Sequence, residues 1–543
     1  MEQFSEFAET ICKQKYAHTK ADGTKETWDE IANRVSSQVL RAVTNWVLFA
    51  PTYQLIRDRK FLPGGRYLYA TGRPFHQTQN CLLLRAEDSR EGWADLLHKS
   101  SMALMTGAGI GVDYSAVRPE GSAISRTGGK ATGPVALMQM VNESGRHIMQ
   151  GGARRSAIWA GLNWKHPDVF KFIAIKDWSP EIRRLKEQDF NFPAPLDGTN
   201  VSVILDKEFF TAYEAGDEHA HKVYWTAVES MLRNGEPGFS VDYDNPRESL
   251  RNACTEVVSE DDSDICNLGS LNMARFDTLE EFKEGVKLAT TFLLAGTLYS
   301  DVPYQKVDET RTKNRRLGLG LMGVHEWLLK RGKQYGADAE LATWLEAYRE
   351  VSTSTATTTA DAWGISRPIA TRSVAPTGTI GIIAETTTGI EPIFCVAYRR
   401  RYKGPDGHTT QYQYVLDPTA KRLIESGVKP EDIEDAYTLA QDVERRVAFQ
   451  AWVQQYVDMA ISSTINMPSW GSDANNESKV RPFGEMLLKY LPRIRGITTY
   501  PDGARGGQPL VPVSYHTAIG KIGQIFVEQM DVCDLTGGGS CGS

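Results

Sequence analysis

The segment NACTE, residues 252–256, places three chemically capable side chains within five positions. An amide, a thiol and a carboxylate stand at alternate residues, Asn252, Cys254 and Glu256. In an extended chain, side chains at i, i+2 and i+4 project from the same face. The spacing therefore predicts a thiol flanked by a hydrogen-bonding amide and a carboxylate base. A surface strand with a polar face is the alternative.

Seven cysteines are spread irregularly along 543 residues, too sparsely for the disulfide framework of a small secreted domain. Cys12 and Cys395 stand in apolar surroundings and are predicted to be core residues. The other five are the candidates for thiol chemistry: Cys81, Cys254, Cys266, Cys533 and Cys541. The last two lie in a glycine- and serine-rich end of the chain, where burial does not account for them.

The composition is that of an ordinary soluble protein, with 41% hydrophobic and 24% charged residues. A net charge of −7 gives no electrostatic support for nucleic-acid binding. The polar, mixed-charge start is no secretory signal, and apolar stretches such as LATTFLLAGTLY are too short to span a bilayer. We therefore expect a cytoplasmic protein with no nucleic-acid or membrane partner.

Three regions follow from the pattern of apolar residues. Residues 1–60 predict helices, because ETWDEIANRVSSQVLRAVTNWVLF carries apolar residues at three- and four-residue spacing. Residues 61–515 alternate short apolar runs with amphipathic helices, which favours an α/β fold with mainly parallel strands. Residues 516–543 end in glycine and serine and predict a flexible tail.

Two glycine-containing loops bear on nucleotide binding. GLGLMG at 318–323 fits a dinucleotide pattern, but KNRR stands where an apolar strand should precede it, so close packing is the better interpretation. PTGT at 376–379 differs, because glycine and small residues let successive backbone N–H groups converge on an anion. A plain turn is the alternative there. No GxxxxGK[ST] loop occurs, which excludes a P-loop nucleotide hydrolase.

Many short motifs follow one another in a family order: FLPGGR, QNC, TGAGIGVDYSAVRPEGS, TGGKATGPVALM, GGARRSAIWAGLNWKHPD, NGEPGF, NACTEV, CNLGSLN, RRLGLGLMG, PTGTI, TTGIEPIF and TTYPDGARGGQPL. The chain thereby resembles the catalytic chain of ribonucleotide reductase, particularly its class II, adenosylcobalamin-dependent branch. The resemblance implies a ten-stranded α/β barrel of two five-stranded parallel halves, enclosing a finger loop. It also implies conversion of ribonucleotides to 2′-deoxyribonucleotides by a thiyl radical generated from adenosylcobalamin.

The same resemblance implies roles for the NACTE residues. Cys254 would carry the thiyl radical that removes hydrogen from the ribose C3′. Glu256, normally ionised near neutral pH, would take the 3′-hydroxyl proton as general base. Asn252 would hold the substrate hydroxyls, and proximity on one face would let the three residues act on a single ribose.

Further roles are implied in the same way. Cys81 and Cys266 would supply two electrons and finish as a disulfide, which requires their Cβ atoms to come within roughly 4 Å. Cys533 and Cys541 on the tail would reduce that disulfide by thiolate exchange, and a thioredoxin- or glutaredoxin-like protein would then reduce the tail. Asn80 would contact the substrate. The substrate phosphates would rest on the loop formed by Pro376, Thr377, Gly378, Thr379 and Ile380.

Two alternatives to this interpretation stay open. A class I-like catalytic subunit would receive its radical from a separate metal-containing protein through adjacent tyrosines, but no Tyr-Tyr pair occurs and only Tyr500 stands in the corresponding segment. An inactive nucleotide-binding protein on the same barrel is opposed by the presence of all five cysteines and Glu256. A dNTP effector and a homodimer are further expectations. The C-x7-C spacing of the tail pair is wider than is usual in the family.

Overall fold

The computed structural model describes residues 4–44, 46–150, 154–189, 192–243, 248–403, 410–504 and 510–526. Its strands are β1 (Phe61–Pro63), β2 (Cys81–Arg85), β3 (Gly109–Asp113), β4 (Met149–Gln150), β5 (Arg154–Arg155), β6 (Ile158–Asn163), β7 (Thr199–Asp206), β8 (Gly238–Asp242), β9 (Leu250–Arg251), β10 (Val258–Ser259), β11 (Asp264–Asn272), β12 (Leu317–Met322), β13 (Ala397–Lys403), β14 (Thr410–Leu416), β15 (Thr464–Met467), β16 (Gly496–Pro501), β17 (Leu510–Val513) and β18 (Ile525–Phe526).

Its helices are α1 (Glu6–Lys15), α2 (Trp28–Arg41), α3 (Phe49–Arg57), α4 (Gly65–Ala70), α5 (Arg90–Thr106), α6 (Gly133–Arg146), α7 (Val169–Ala174), α8 (Pro180–Gln188), α9 (Lys207–Glu214), α10 (Glu218–Asn234), α11 (Leu279–Tyr299), α12 (Gln305–Asn314), α13 (Val324–Lys330), α14 (Ala339–Trp363), α15 (Gly378–Ala384), α16 (Pro418–Glu425), α17 (Ala436–Leu439), α18 (Val443–Gln454), α19 (Glu477–Tyr490) and α20 (Tyr515–Ala518). None of the helices in the described part of the chain combines the length and apolar character needed to traverse a lipid bilayer.

Five parallel strands form the first half of a barrel, in the order β2–β3–β6–β7–β8. Crossover segments that contain helices link most of them, as parallel pairing requires. Strands β2, β3 and β8 are buried along nearly their whole length. Their sequences, such as CLLLR and GIGVD, are accordingly apolar or glycine-containing runs rather than alternating patterns.

The second half consists of β11, β12, residues 370–374, residues 459–462 continued by β15, and β16. β11 pairs with β12, and β15 with β16, in parallel. Parallel bridges join Leu319 to Arg372 and Val374 to Ile461. Antiparallel pairing of β2 with β11 and of β8 with β16 connects the halves. The ladder therefore returns to its starting strand, which confirms the expected ten-stranded α/β barrel of two five-stranded parallel halves.

Two apolar layers separate the barrel from its outer helices. Residues of α5, α6 and α10, such as Leu104, pack against the first half. Around the second half, α11 contacts both α14 and α2, and Phe292 of α11 lies in their shared core. Residues 1–60 are largely helical, as the sequence predicts, and Ile31 of α2 is buried in this same core. The N-terminal helices therefore pack as part of the second half rather than around a core of their own.

A four-stranded sheet stands apart from the barrel ladder, in the order β17–β13–β14–β18. β18 pairs with β14 so that Phe526 lies opposite Tyr412, and the two rings stack with centroids 5.6 Å apart. The folded chain thus extends into the region 516–543 that the sequence predicts to be a flexible tail, and that prediction is wrong for residues 516–526. Cys533 and Cys541, in the remainder, lie outside the described residues.

Candidate active site

A β-hairpin joins the two halves of the barrel and lies inside it. Strands β9 and β10 pair antiparallel in the segment between β8 and β11. Leu250 and Val257 of the hairpin pack in one buried cluster with the barrel residues Cys81 and Cys266. We call residues 248–263 the finger. This element is the finger loop that the resemblance implies, and it carries the NACTE segment at its tip.

Glycines of β3 allow the finger to approach the barrel wall. A Cβ added at Gly111 would lie 1.8 Å from the backbone oxygen of Arg251. A Cβ added at Gly109 would lie 3.2 Å from the Cβ of Ala253, which is tighter than most real contacts. Both glycines belong to the GAGIG segment, so this motif makes room for the finger. The sequence alone did not connect these glycines with the NACTE segment.

The tip of the finger is a turn and not an extended strand. Thr255 adopts a left-handed conformation with φ +67°, which is unusual for a β-branched residue, and its N–H donates to the Asn252 carbonyl at 3.1 Å. The Asn252 side-chain oxygen accepts a hydrogen bond from the Val257 N–H at 3.0 Å. The extended geometry expected from the spacing is therefore wrong. Asn252 and Glu256 are buried, which also excludes a surface strand.

Cys81 and Cys266 lie directly opposite each other on the antiparallel strands β2 and β11. Opposite residues of an antiparallel pair have Cα atoms about 4.5–5.5 Å apart, within the roughly 4.4–6.8 Å that a disulfide spans. Both are free, buried thiols. The structure therefore brings together the two cysteines that the resemblance pairs, although they are distant in sequence.

The finger tip reaches this thiol pair. The Nδ2 atom of Asn252 donates to the Cys81 sulfur at 3.3 Å. Burial raises the pKa of Cys81 well above its ordinary value, and the charges of Glu256, Cys266 and Cys254 raise it further. Burial likewise raises the pKa of Cys266, so both thiols are protonated at neutral pH. Cys254 differs, because it is partly exposed. Three thiols and one carboxylate are thus within electrostatic reach of one another.

Glu256 is a buried carboxylate with an open acceptor. Its exposed fraction is 1%, and burial raises its pKa to about 7, against a hydrogen bond from Asn252 that favours the charged form. The Oε2 atom has no hydrogen-bond partner among the described residues. The side-chain oxygen of Asn80, next to Cys81, is also buried and unpartnered within the described residues. Unpaired buried acceptors are costly, so these two oxygens are suited to receive hydroxyl donors from a ligand.

The loop 376–380 follows the barrel segment 370–374. Thr377 adopts a left-handed conformation with φ +49°, and its Oγ1 accepts the Gly389 N–H at 2.9 Å. Its carbonyl accepts the Gly381 N–H at 2.7 Å, which begins α15. A Cβ added at Gly378 would have no heavy atom within 4 Å. The backbone of this glycine therefore borders open space, as an anion-binding loop requires.

Comparison with known protein families identifies the family to which this barrel belongs. Residues 79–228, 219–362 and 364–490 match the family described as ribonucleotide reductase, barrel domain. The fold and the site define a class of protein. Its members have a closed, ten-stranded barrel that encloses a thiol-bearing finger and an opposed pair of thiols. The chain belongs to the ribonucleotide reductase barrel-domain family.

Individual relatives align over most of the chain. A vitamin B12-dependent ribonucleoside-diphosphate reductase from Mycobacterium tuberculosis is 28% identical, covering 84% of this chain and 71% of the relative. One from Thermoplasma acidophilum is 25% identical, covering 92% and 71%. A putative adenosylcobalamin-dependent ribonucleoside-triphosphate reductase from Mycobacterium phage D29 is 25% identical, covering 91% of this chain and 92% of the relative.

Proposed function

We propose that the chain is an adenosylcobalamin-dependent ribonucleotide reductase that converts ribonucleotides to 2′-deoxyribonucleotides through a thiyl radical on Cys254. The observation that carries the proposal is the opposition of Cys81 and Cys266 on β2 and β11, directly beneath the finger tip. Such a pair can supply two electrons without moving the backbone. The relatives named for vitamin B12 or adenosylcobalamin support the cofactor.

Each residue of the site then has a task. The Cys254 thiyl takes the hydrogen atom from C3′ and becomes a thiol, while Glu256 takes the 3′-hydroxyl proton through its unpartnered Oε2. The 2′-hydroxyl leaves as water after protonation by one thiol of the pair. Over the cycle, Cys81 and Cys266 lose two electrons and two protons and form a disulfide: one hydrogen leaves in the water and the other forms the new C–H bond at C2′. Glu256 returns its proton to the 3′-oxygen. The Cys254 thiol returns its hydrogen to C3′, which restores the thiyl radical.

We propose for Asn252 a task in addition to the one that the resemblance implies. Its side-chain oxygen is held by the Val257 N–H, and its Nδ2 atom donates to Cys81. These contacts order the turn and hold one thiol, and the same amide also gives a hydrogen bond to Glu256, so its N–H groups are already engaged within the site. We therefore assign Asn252 first to the geometry of the finger tip, and a substrate hydroxyl would reach its amide by replacing one of these acceptors.

Whether adenosylcobalamin fits the site depends on which cysteines a group bound beside the finger tip could reach. When bound, adenosylcobalamin supplies a radical by homolysis of its cobalt–carbon bond. Cys254 is partly exposed, whereas Cys81 and Cys266 are buried. A group bound beside the finger tip would therefore have access to Cys254 and not to the reducing pair, which fits the chemistry. Cys254 is the residue that would face it.

The proposed partners follow from the same chemistry. The loop 376–380 would bind the substrate phosphates, and Asn80 would contact the sugar. The tail cysteines Cys533 and Cys541 would reduce the Cys81–Cys266 disulfide and then be reduced by a thioredoxin- or glutaredoxin-like protein. We further propose a dNTP effector and a homodimer. Since such thiols persist in a reducing compartment, we infer a cytoplasmic location.

Activity of the purified chain tests the cofactor assignment. Ribonucleoside diphosphates and triphosphates are each incubated with a small dithiol, with and without adenosylcobalamin, and deoxyribonucleotides are measured. We expect turnover only with the cofactor. Turnover that requires an added metal-containing subunit instead would establish the class I-like alternative. Nucleotide binding without turnover under any condition would favour the inactive nucleotide-binding protein.

Variants test the roles of the cysteines. Cys254→Ser should abolish turnover and leave nucleotide binding intact, while Cys395→Ser, at a buried thiol of the core, should leave turnover unchanged. Cys533→Ser should allow about one turnover with thioredoxin and full activity with a small dithiol. Equal loss of Cys533→Ser activity with both reductants would contradict the tail shuttle.

A further inference from the structure

The first strand of the finger is fixed by a fully buried arginine. Arg251 has an exposed fraction of 0%, and its Nη2 atom contacts the Asp242 Oδ1 at 2.5 Å and the Val241 carbonyl at 3.2 Å. Its Nη1 atom donates to the carbonyls of Glu248 and Leu250. Asp242 ends β8, the last strand of the first half-barrel. We call the Asp242–Arg251 pair the β8 anchor.

The second strand of the finger is fixed by a separate buried cluster of three residues. The Ser259 hydroxyl donates to the Asp264 Oδ2 at 2.7 Å, and the Arg316 Nε contacts the same oxygen at 2.8 Å. Arg316 also donates to the Ser259 hydroxyl oxygen at 3.2 Å. Asp264 begins β11, the first strand of the second half-barrel, and all three residues are buried. We call Asp264, Ser259 and Arg316 the β11 anchor.

We propose that the two anchors are positioning groups, which set the place of Cys254 relative to the Cys81–Cys266 pair by tying each finger strand to a different half-barrel. This inference rests on the proposed role of Cys254. Asp242 and Arg251 are engaged with each other, and Arg251 also with carbonyls of the finger backbone. In the β11 anchor, the charges of Arg316 and Asp264 also act on the pKa of Cys266, in opposite directions, so the β8 anchor is the one that separates positioning from electrostatics. Both anchors act through the finger.

The tip of the finger is held by hydrogen bonds, such as that from the Ala460 N–H to the Glu256 carbonyl at 2.9 Å, and the two anchors hold the strands at its base. Strands β9 and β10 share only two opposed residue pairs, Val258 with Arg251 and Ser259 with Leu250. The finger residues Leu250, Val257 and Val258 make apolar contacts in the buried cluster that they share with Cys81 and Cys266. Such contacts do not fix orientation. A shift of about 1 Å in a reacting group can lower a rate by about 100-fold. Directional, buried ion pairs at both strands prevent that shift.

Replacing the β8 anchor by apolar side chains separates positioning from stability. A buried ion pair exchanged for well-packed apolar residues of similar volume often leaves stability unchanged or raised. In the double variant Asp242→Leu/Arg251→Met we therefore expect a folded protein whose kcat falls about 10- to 100-fold, with the nucleotide KM within twofold of wild type. The matched control is Glu26→Leu/Arg34→Met, which removes a largely buried ion pair of 2.8 Å between α2 and the segment that precedes it.

Labelling of Cys254 gives a readout that does not depend on turnover. The native protein is treated with iodoacetamide, and the modification of each cysteine is followed by mass spectrometry. We expect Cys254 to react at least fivefold faster in the double variant than in wild type and in the control, with Cys81 and Cys266 still slow. A folded double variant with wild-type kcat and wild-type Cys254 labelling overturns the proposal.

Two further outcomes are informative. If the double variant does not fold, Arg251→Lys, which retains the charge but not the planar fork, is measured in the same way. Faster Cys254 labelling and a lower kcat in Arg251→Lys support the anchor, and wild-type values overturn it. If the wild-type protein reduces no ribonucleotide, the proposed function fails, while the labelling comparison still decides whether the anchor places Cys254.

Discussion

The side-chain amide of Asn252 donates to the sulfur of Cys81 at 3.3 Å and thereby ties the finger tip to strand β2. The other end of the same amide accepts the Val257 N–H at 3.0 Å, which closes the turn that carries Cys254. One buried side chain therefore fixes both the shape of the turn and its distance from the reducing pair. Its geometry depends on a donor at one end and an acceptor at the other.

Asn252→Asp tests this arrangement, because it replaces the donor by an acceptor of the same shape. We expect kcat to fall about 100-fold and the free energy of unfolding to fall by about 1–3 kcal/mol, since a buried carboxylate oxygen would face the Cys81 sulfur. Turnover and urea denaturation measure the two effects. Asn476→Asp is the control, because Asn476 is a half-buried helix N-cap whose Nδ2 likewise loses a hydrogen bond, to the Ser472 carbonyl at 2.8 Å; it should leave kcat unchanged. An unchanged kcat in Asn252→Asp would show that Asn252 has no role in the active site.

The raised pKa of Glu256 predicts how the activity falls on the acid side, or acid limb, of the pH profile. Burial raises its pKa to about 7, so the carboxylate is protonated at lower pH and does not accept the 3′-hydroxyl proton. We expect kcat/KM to fall about tenfold per pH unit below pH 7. Glu256→Gln should lower kcat by about 100- to 10,000-fold and abolish this limb. An unchanged acid limb in the variant would assign it to another group.

The same raised pKa affects stability, with a defined sign. The pKa of Glu256 is about 7 in the folded protein against a reference value of 4.5. The folded protein binds this proton more tightly, so the contribution is fully present below pH 4.5 and is lost as the pH rises to 7. Its size is about 3 kcal/mol. Denaturation of wild type and Glu256→Gln at pH 4.5 and pH 8 should give different pH dependences.

The glycines of β3 predict a graded series of alanine variants. Gly111→Ala would place a Cβ 1.8 Å from the Arg251 backbone oxygen, so the finger or the strand must move. We expect a loss of about 1–3 kcal/mol in the free energy of unfolding and little turnover. Gly109→Ala, with its 3.2 Å contact to Ala253, should be milder. Gly520→Ala, where no atom lies within 4 Å, should behave as wild type.

Opposition of Cys81 and Cys266 predicts which disulfide appears first. In the Cys533→Ser variant without reductant, where the tail cannot reduce the pair, we expect one disulfide, between Cys81 and Cys266, and one deoxyribonucleotide per active site. Cys12 and Cys395, buried elsewhere in the core, should remain thiols. Trapping with an alkylating reagent and peptide mass spectrometry identifies the pair. A disulfide that includes Cys254 would contradict the separation of radical and reducing roles.

Sequence patterns predicted the fold further than they predicted the site geometry. Strand–helix alternation and the motif order led to the α/β barrel, because parallel strands leave long apolar runs that are visible in sequence. Closure of the barrel was not visible, since it depends on single bridges such as Leu319–Arg372 between segments with no alternating pattern. The opposition of Cys81 and Cys266 depends on the register of β2 against β11, which only the folded chain determines.

The spacing of residues in the sequence predicted which side chains gather at the finger tip, but it predicted the wrong backbone geometry there. Alternation grouped Asn252, Cys254 and Glu256 on one face of a strand, whereas a turn with Thr255 at φ +67° brings them to the thiol pair. The anchoring residue Arg251 was missed altogether. A charged residue directly before the NACTE segment was the available signal, but its complete burial arises from contacts with β8 that the sequence does not display.

The open space at Gly378 allows substrate binding to be separated from folding. An added Cβ there meets no heavy atom within 4 Å, and its φ is not in the left-handed region, so Gly378→Ala should leave the free energy of unfolding unchanged. If the substrate phosphates occupy this space, the methyl group should raise the nucleotide KM about tenfold with little change in kcat, because the chemistry occurs at the ribose. Gly520→Ala is again the control, since its added Cβ also meets open space. Steady-state kinetics and nucleotide binding to Cys254→Ser with and without Gly378→Ala measure the effect. An unchanged KM and affinity would place the phosphates elsewhere, since a ligand on these backbone amides does not tolerate a side chain at Gly378.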